Sequence, residues 1–275
     1  MKQKRILPFL LAAALLLGLA GCGGDSSDSS SLPEEEPENL EYPVSIGDET
    51  IPARPEKVVS LSPALTELCF DMGYGERLTG VSDYCDWPEQ VQDLPRMGTA
   101  QQPDLDAVRA DKPDVVITHT DLSENDLIAL QQADIPVVVL SRARLPEDLK
   151  DLYVNLGRLF EGEQAGSEAG KAFYNEQMGR VESIQEKVEA YIRGGGKQLS
   201  AVYLRMLDFT VATGDTFEGA MLETIGFENV AGAYGGWTYP LDFISQYDPD
   251  VIFCNEDITS PMLEQNANYK GLQAT

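Results

Sequence analysis

One pattern occurs twice in this chain, and the two copies lie far apart. The first copy is Leu105-Asp106, six residues, and then Pro113-Asp114-Val115-Val116-Ile117; the second is Leu241-Asp242, six residues, and then Pro249-Asp250-Val251-Ile252-Phe253. The separation is too long for a solenoid, whose repeats recur about every 20–50 residues. The pattern therefore predicts two α/β lobes built on one plan, with a cleft between them and one acid, Asp106 or Asp242, at a matching place on each lobe.

The first 21 residues are typical of a secretory signal. Lys2, Lys4 and Arg5 precede an apolar run from Ile6 to Ala20, which is short for a membrane span of roughly 20 apolar residues. The segment Leu19-Ala20-Gly21-Cys22 resembles the lipobox of bacterial lipoproteins. We therefore expect a lipid anchor on Cys22 that holds the protein at the extracytoplasmic face of the cell membrane. The alternative is an ordinary signal peptide followed by a chance cysteine.

Residues 22–53 are predicted to be an acidic tether rich in Ser and Pro. Its first part, Gly23 to Glu41, has too little apolar surface to fold, and a flexible chain of that length reaches on the order of 25 Å. That reach is enough to hold a domain just off the membrane. A long acidic tether after the cysteine favours the surface of a Gram-positive cell.

The net charge of −26 argues against nucleic acid as a partner, because phosphate binders need basic patches. Besides Cys22, the chain has Cys69, Cys85 and Cys254. An exported protein can form one disulfide from three such residues, and the sequence leaves the pair open. The apolar surroundings of Cys69 and Cys254 predict small core residues.

Strands and helices alternate on both sides of a long helical region. Unalternated apolar runs such as Pro136 to Leu140 are typical of parallel strands covered on both faces, and they predict an N-terminal α/β lobe in residues 54–145. Residues 146–196 are predicted to be linking helices; the second, 163–193, is about 45 Å long at 1.5 Å per residue and is expected to bridge the lobes. Residues 197–275 resume the α/β pattern as a C-terminal lobe without a final strand and helix, so we expect a truncated sequence.

Four segments resemble the iron-siderophore/cobalamin family of ABC-transporter substrate-binding proteins. They are 58–67 (VVSLSPALTE), 80–88 (GVSDYCDWP), 94–98 (LPRMG) and 112–116 (KPDVV), and the likeness covers roughly residues 54–275. The resemblance implies two Rossmann-like lobes joined by one rigid helix, a role without enzymatic activity, and an ABC permease with its ATPase as partners. It also implies that Asp106 and Asp242 dock onto permease arginines, although the family commonly has Glu there. Both acids can also stabilise a helix N-terminus by about 0.3–1 kcal/mol.

The predicted ligand site lies beyond the carboxyl ends of the strands, where open α/β sheets bind their ligands. The polar and aromatic residues at those positions are Tyr84, Trp87, Gln101, His119, Arg205, Phe209 and Trp237. The resemblance matches Tyr84, Phe209 and Trp237 to ligand contacts of cobalamin-type members. His119 can be an axial ligand of a cobalt or iron chelate or a polar residue of the rim, and Arg205 can bind a ligand anion or form a surface salt bridge.

Three other classes of function lack their residues. A zinc or manganese site needs several ligands, and the chain has one histidine. A hydrolase needs a nucleophile with a base, and the sequence has no Gly-x-Ser-x-Gly motif. Hydrolysis of ATP needs a P-loop, and none occurs. No resident metal or cofactor is expected, and the ligand is a small-molecule chelate. The aromatic residues favour cobalamin or a related corrinoid. A ferric siderophore or haem is the second candidate, because Arg205 stands almost alone as a basic residue among the predicted site residues.

Overall fold

The structure is a computed structural model, and it describes residues 41–275 except 209, 241–243, 245, 273 and 275. The signal peptide and Cys22, predicted from the sequence, lie outside the described residues, as do Phe209 and Asp242. Among the described residues no helix is long and apolar enough to cross a membrane.

The N-terminal lobe is built on a parallel sheet of four strands. These are β3 (Val58–Ser60), β4 (Leu78–Val81), β5 (Val115–Thr118) and β6 (Val137–Val139), and they lie in the order β4-β3-β5-β6. The helices are α1 (Pro63–Asp71), α2 (Leu105–Asp111) and α3 (Glu124–Gln131). Ser62 caps α1: its hydroxyl accepts the Leu65 N–H at 3.4 Å, and Pro63 occupies the first helical position, where its missing N–H costs nothing.

The apolar strands of this sheet bury both of their faces. Val115 and Ile117 of β5 belong to one hydrophobic cluster and Val116 to another, because successive side chains of a strand point to opposite faces. All four residues of β5 are buried. The unalternated runs of the sequence therefore correspond to parallel strands covered on both faces, as predicted.

A hairpin of two short strands precedes the parallel sheet and corrects the predicted end of the tether at residue 53. The strands β1 (Val44–Ile46) and β2 (Glu49–Ile51) pair antiparallel. Val44, Ile46 and Ile51 are at most 3% exposed and belong to the same cluster as Val115. Residues 44–51 thus contribute core side chains to the N-terminal lobe. Burial of three β-branched side chains stabilises this segment although its other residues are mostly polar.

Two helices follow the first lobe and are joined by one residue. They are α4 (Asp148–Glu161) and α5 (Glu163–Arg193), and Gly162 between them has φ 94°, a left-handed value that favours glycine. The 31 residues of α5 span about 46 Å. Phe173 of α5 packs against the N-terminal core, and Val188 lies against Gly226, beyond the next strand of the chain, so α5 contacts both lobes as predicted.

The C-terminal lobe repeats the strand order of the first. Its strands β7 (Ser200–Leu204), β8 (Glu228–Asn229) and β9 (Val251–Cys254) are parallel in the order β8-β7-β9. Helix α6 (Phe217–Thr224) follows β7, and α7 (Ser260–Gln265) follows β9. In each lobe the first strand is flanked by the next two, which is the arrangement of a doubly wound sheet.

The repeated Pro-Asp pair performs the same task in both lobes. The Asp114 carboxylate accepts the backbone N–H groups of Glu56 and Lys57 at 2.8 Å, just before β3. The Asp250 carboxylate accepts the Ser200 N–H at 2.9 Å, at the start of β7, and the Lys197 ammonium at 2.6 Å. These hydrogen bonds lower the pKa of Asp250 to about 2, with Lys197 the largest cause. Each aspartate therefore fixes the start of its neighbouring strand.

The cysteines of the described part of the chain are reduced. Cys69, Cys85 and Cys254 are all free thiols, and the first two are buried. Cys69 is a small core residue as predicted, whereas Cys254 is only partly buried.

Candidate functional site

A cavity of 940 Å³ lies between the two lobes. Pockets for small molecules typically measure about 300–1,000 Å³, so this one suits a large ligand. The N-terminal side contributes residues after β5 and β6 and from α4, and the C-terminal side contributes residues after β7 and β9 and at the start of α6. The lining consists of Ala64, His119, Arg142, Ala143, Arg144, Leu149, Leu152, Tyr203, Arg205, Asp215, Thr216, Phe217, Glu218, Gly236, Trp237 and Asn255.

The cavity lies beside the topological switch point of each sheet. At this point two neighbouring strands have connections that lead away in opposite directions. In the first lobe that point lies between β3 and β5, and His119 follows β5 there. In the second lobe it lies between β7 and β9, and Arg205 and Asn255 follow those two strands. Because crevices form outside the carboxyl ends of strands at such points, the fold itself accounts for the position of the cavity.

A smaller cavity of 220 Å³ shares His119 and Arg142 with the larger one. Tyr84 and Gln101 line it, together with residues that follow β3 and β5. Tyr84 is 72% exposed, so much of its ring is accessible to a ligand.

Five of the seven predicted ligand residues line these two cavities. His119, Arg205 and Trp237 line the larger cavity. Tyr84 and Gln101 line the smaller cavity, and so does His119. Trp87 lies outside both linings and is 65% exposed.

Arginine is more abundant in the cleft than the sequence predicted. Arg142 and Arg144, in the loop after β6, line the larger cavity with Arg205. The expectation that Arg205 stands almost alone is therefore wrong, and the reason for ranking a ferric siderophore or haem second is removed. Three arginines face two carboxylates, Asp215 and Glu218, in this lining, so the cleft has a local positive balance in a chain whose net charge is −26.

Trp237 is held in a defined orientation by the backbone around it. Its φ of 61° is left-handed, and its N–H donates to the Thr213 hydroxyl at 3.2 Å. The Gly236 N–H donates to both carboxylate oxygens of Asp215 at 3.0 Å. The Thr213 hydroxyl, followed by this N–H, lowers the pKa of Asp215, so Asp215 stays ionised and holds the loop.

The ring of Trp237 has one face covered by an arginine. The Arg205 guanidinium carbon lies 5.0 Å from the ring centroid, a cation–π geometry worth about 0.5–1 kcal/mol at an exposed site. The aromatic surface predicted for Trp237 is therefore paired with a charge, and the pair can bind an aromatic edge and an anion together.

His119 is the single histidine of the chain and stands where the two cavities meet. Its Nδ1 lies 2.5 Å from the Leu140 carbonyl oxygen. Burial, more than any other cause, lowers the pKa of His119, which favours the neutral imidazole. Within the described ranges no group of three or more His, Cys, Asp or Glu residues is placed to hold a metal ion.

Asp106 lies in the first turn of α2 and is not one of the residues that line the two cavities. The cap of α2 is provided by Asp104, whose carboxylate accepts the Ala107 N–H at 2.9 Å. The Asp106 side chain is 100% exposed and lies 3.8 Å from Arg109. Its carboxylate is thus open to a partner, while its predicted counterpart Asp242 lies outside the described residues.

Comparisons with known proteins agree with this architecture. The family described as periplasmic binding protein matches residues 58–275. The uncharacterized ABC transporter substrate-binding lipoprotein YvrC of Bacillus subtilis (strain 168) is 26% identical over 99% of this chain and 87% of its own length. A vitamin B12-binding protein of Vibrio campbellii is 26% identical over 74% of this chain and 72% of its own. The crystal structure of a periplasmic heme binding protein from Pseudomonas aeruginosa superposes with a TM-score of 0.65 at 21% identity, covering 80% of this chain and 81% of the other, which is a likeness of fold.

Proposed function

The chain belongs to the periplasmic binding protein family, and from this premise we propose that it is the extracytoplasmic substrate-binding component of an ABC importer. It captures a large metal chelate in the cleft and delivers it to a permease driven by a separate ATPase. The relative YvrC, which is named as an ABC transporter substrate-binding lipoprotein, supports this role and is similar over nearly the whole chain. The role is one of transport without catalysis.

The observation that carries the proposal of a chelate with anionic groups is the meeting of three arginines from two lobes at one cavity. Arg142 and Arg144 come from the first lobe and Arg205 from the second. Guanidinium groups bind carboxylates and phosphates through paired hydrogen bonds, so a chelate with such groups is held by both lobes at once. Cobalamin or a related corrinoid, which has a phosphate and a broad ring, is the first candidate, and similarity to a vitamin B12-binding protein supports it.

A ferric siderophore or haem is the second candidate, and the arginines favour it more than the sequence did. Haem has two carboxylates, and many ferric siderophores are multiply anionic. The volume of 940 Å³ lies near the upper end of the usual range for ligand pockets, as a bulky ligand requires. The choice between the candidates therefore depends on direct binding measurements.

The test is to titrate the full-length chain with cyanocobalamin, haemin and a panel of ferric siderophores. Binding is monitored by tryptophan fluorescence and by calorimetry. Arg142→Ala removes a charge-assisted contact worth about 1.5–3 kcal/mol, so affinity for the bound chelate should fall about 10- to 100-fold. Trp237→Ala should abolish most of the quenching. Arg180→Ala is the matched control, because Arg180 lies on α5, is 71% exposed and pairs with Glu176. If no chelate binds, or if Arg142→Ala behaves like the control, the proposed site is incorrect.

Two attachments complete the proposal. Cys22, in the segment that resembles a lipobox, is the site of a lipid anchor, and the surface of a Gram-positive cell is the favoured location. Asp106 and Asp242 are the acids that dock onto the permease, one on each lobe. The full exposure of the Asp106 side chain supports this assignment; exposed ion pairs are individually weak, so docking mainly orients the protein and speeds encounter.

A further inference from the structure

The loop that carries Arg142 and Arg144 has open space on two sides. This arginine loop, residues 141–145, lies between β6 and α4. One side of it faces the cavity of 940 Å³ between the lobes. The other side faces a cavity of 420 Å³, which Gly47 of the first hairpin and the first turns of α4 help to line. Arg142 and Arg144 line both cavities, so packing restrains the loop little.

The charges of the arginine loop act on groups that line the cavity between the lobes. Burial is the main cause that lowers the pKa of His119, and the Arg142 charge adds to it. The Thr213 hydroxyl is the main cause that lowers the pKa of Asp215 on the second lobe, and the Arg144 charge also contributes. The observed conformation of the loop therefore brings both guanidinium groups close to the cleft.

One carboxylate holds the arginine loop in this conformation. The backbone N–H groups of Arg144 and Leu145 both donate to Oδ2 of Asp148, the first residue of α4, at 2.9 Å. Within the described part of the chain, no other hydrogen bond reaches residues 141–144. The two N–H groups, that of Leu145 first, lower the pKa of Asp148. The carboxylate is therefore ionised at neutral pH, and both hydrogen bonds are charge-assisted.

We propose that Asp148 is a positioning residue of the ligand site, which holds the arginine loop so that Arg142 and Arg144 meet an anionic group of the chelate. This inference rests on the proposed function and adds to it a residue that does not itself line the cavity between the lobes. A loop that is ordered in only a fraction of the molecules lowers the apparent affinity by that fraction. Asp148 keeps the loop ordered before the ligand arrives.

A matched control separates this role from two simpler effects of a carboxylate. Asp151 lies in the same first turn of α4 as Asp148 and lines the same cavity of 420 Å³. Both acids therefore interact with the helix dipole. Removing either one makes the surroundings of the arginines more positive, which by itself strengthens the binding of an anion. Weaker anion binding after loss of Asp148, but not of Asp151, therefore indicates a disordered loop.

The first experiment needs no ligand. Amide hydrogen exchange of the full-length chain is measured at Arg144 and Leu145 in the variants Asp148→Ala, Asp148→Asn and Asp151→Ala. Asp148→Ala removes the acceptor of both N–H groups and should speed their exchange at least about tenfold, whereas Asp151→Ala should leave it unchanged. Asp148→Asn keeps a side-chain oxygen that can accept both N–H groups, so its exchange should stay within about threefold of the wild type.

The second experiment measures affinity with pairs of probes that differ in an anionic group. Haemin is paired with its dimethyl ester, which lacks both carboxylates, and cyanocobalamin with dicyanocobinamide, which lacks the phosphate. For the pair that binds, Asp148→Ala should weaken binding of the anionic member about 3- to 10-fold and change that of the other member less than about twofold. Asp148→Asn should stay within about twofold of the wild type, and Asp151→Ala should bind the anionic member at least as tightly as the wild type.

The outcomes distinguish this inference from the function on which it rests. Three results would overturn the inference while the proposed function stands: unchanged exchange at Arg144 and Leu145 in Asp148→Ala, an equal loss of affinity for both members of a pair, or an equal loss in Asp151→Ala. If no probe binds the wild type and the ferric siderophores also fail to bind, the proposed function is overturned and the inference with it.

Discussion

The contact between α4 and α5 depends on glycines that allow two backbones to approach closely. A Cβ atom added at Gly166 would lie 2.2 Å from the Gly157 carbonyl oxygen, and one added at Gly157 would lie 2.2 Å from that of Gly166. Gly170 likewise faces the Tyr153 carbonyl at 2.4 Å. The pairs run in opposite directions along the two helices, so α4 and α5 are antiparallel at this contact.

Gly166→Ala tests whether this contact sets the position of the linking helix. Real Cβ atoms do not approach an oxygen closer than 3.0 Å, so the helices must separate by about 0.8 Å. Overpacking of this kind costs about 1–3 kcal/mol. Alanine is also more favourable than glycine in a helix interior by about 1 kcal/mol. This gain partly cancels the cost of the clash in the measured free energy of unfolding of Gly166→Ala.

Gly179→Ala on the same helix is the matched control. An added Cβ there meets no atom within 4 Å, so only the helix propensity changes and the variant should be more stable than the wild type. Because propensity cancels between the two variants, their difference in free energy of unfolding is the cost of the clash, about 1–3 kcal/mol. With an m-value of about 3 kcal/mol/M, the urea midpoints should differ by roughly 0.3–1 M.

The assay is urea unfolding followed by circular dichroism, with ligand affinity measured in parallel. Since α5 contacts both lobes, a shift of its packing should also affect the cleft. We therefore expect the Gly166→Ala variant to bind its ligand more weakly than the Gly179→Ala variant. Equal urea midpoints for the two variants would refute the close packing of α4 on α5 described above.

Three further predictions concern surface and buried groups. Asp106→Arg with Asp242→Arg should block import in cells and leave chelate affinity unchanged; an equal loss of affinity would assign the acids to the cleft instead. Asp250→Asn should lower stability at neutral pH, because hydrogen bonds depress the pKa of Asp250 to about 2 from 3.8: its contribution is present above about pH 4 and is lost as the pH falls to about 2. Thermal melts at several pH values measure this, and a variant whose melting temperature differs from wild type equally at pH 7 and pH 2 would contradict it. Burial raises the pKa of Cys69 and of Cys85, so neither thiol should react with a thiol reagent before unfolding, and rapid labelling of the native chain would disprove their burial.

The duplicated plan of the molecule was predictable from the sequence, because each copy of the Pro-Asp pair has a structural task. Asp114 and Asp250 fix the starts of β3 and β7, and the residue before each proline, Lys112 or Asp248, has a left-handed φ of 54° or 44°. The strand-fixing carboxylate explains why the Pro-Asp pair recurs. The outline of both lobes follows from that recurrence and from the apolar runs.

The hairpin before the first lobe was missed although a signal for it exists. Val44 and Ile46 alternate with Ser45, Ile51 is the apolar residue of the second segment, and Gly47-Asp48 is a turn between them. The acidic residues nearby made the segment resemble the tether. Its burial depends on contacts between β1 and α4 and on the hydrophobic cluster that it shares with β5, both of which are far away in the sequence.

The arginines of the cleft could also have been predicted from the sequence. The rule that predicted the other site residues, namely that ligands bind beyond the carboxyl ends of strands, applies to them as well. Arg142 and Arg144 follow the carboxyl end of β6, as His119 follows that of β5. The stacking of Arg205 on Trp237 was beyond prediction, because it requires the left-handed backbone of Trp237 and its support by Asp215.

The two arginines after β6 belong to one tripeptide, Arg142-Ala143-Arg144, and both side chains are exposed rather than packed in a hydrophobic cluster. Rewriting this tripeptide therefore leaves the interior of the lobe untouched, so stability should change little. Since Trp237 stands opposite as a fluorescent reporter, a small library at these positions is a practical route to biosensors for other charged metabolites on the same scaffold.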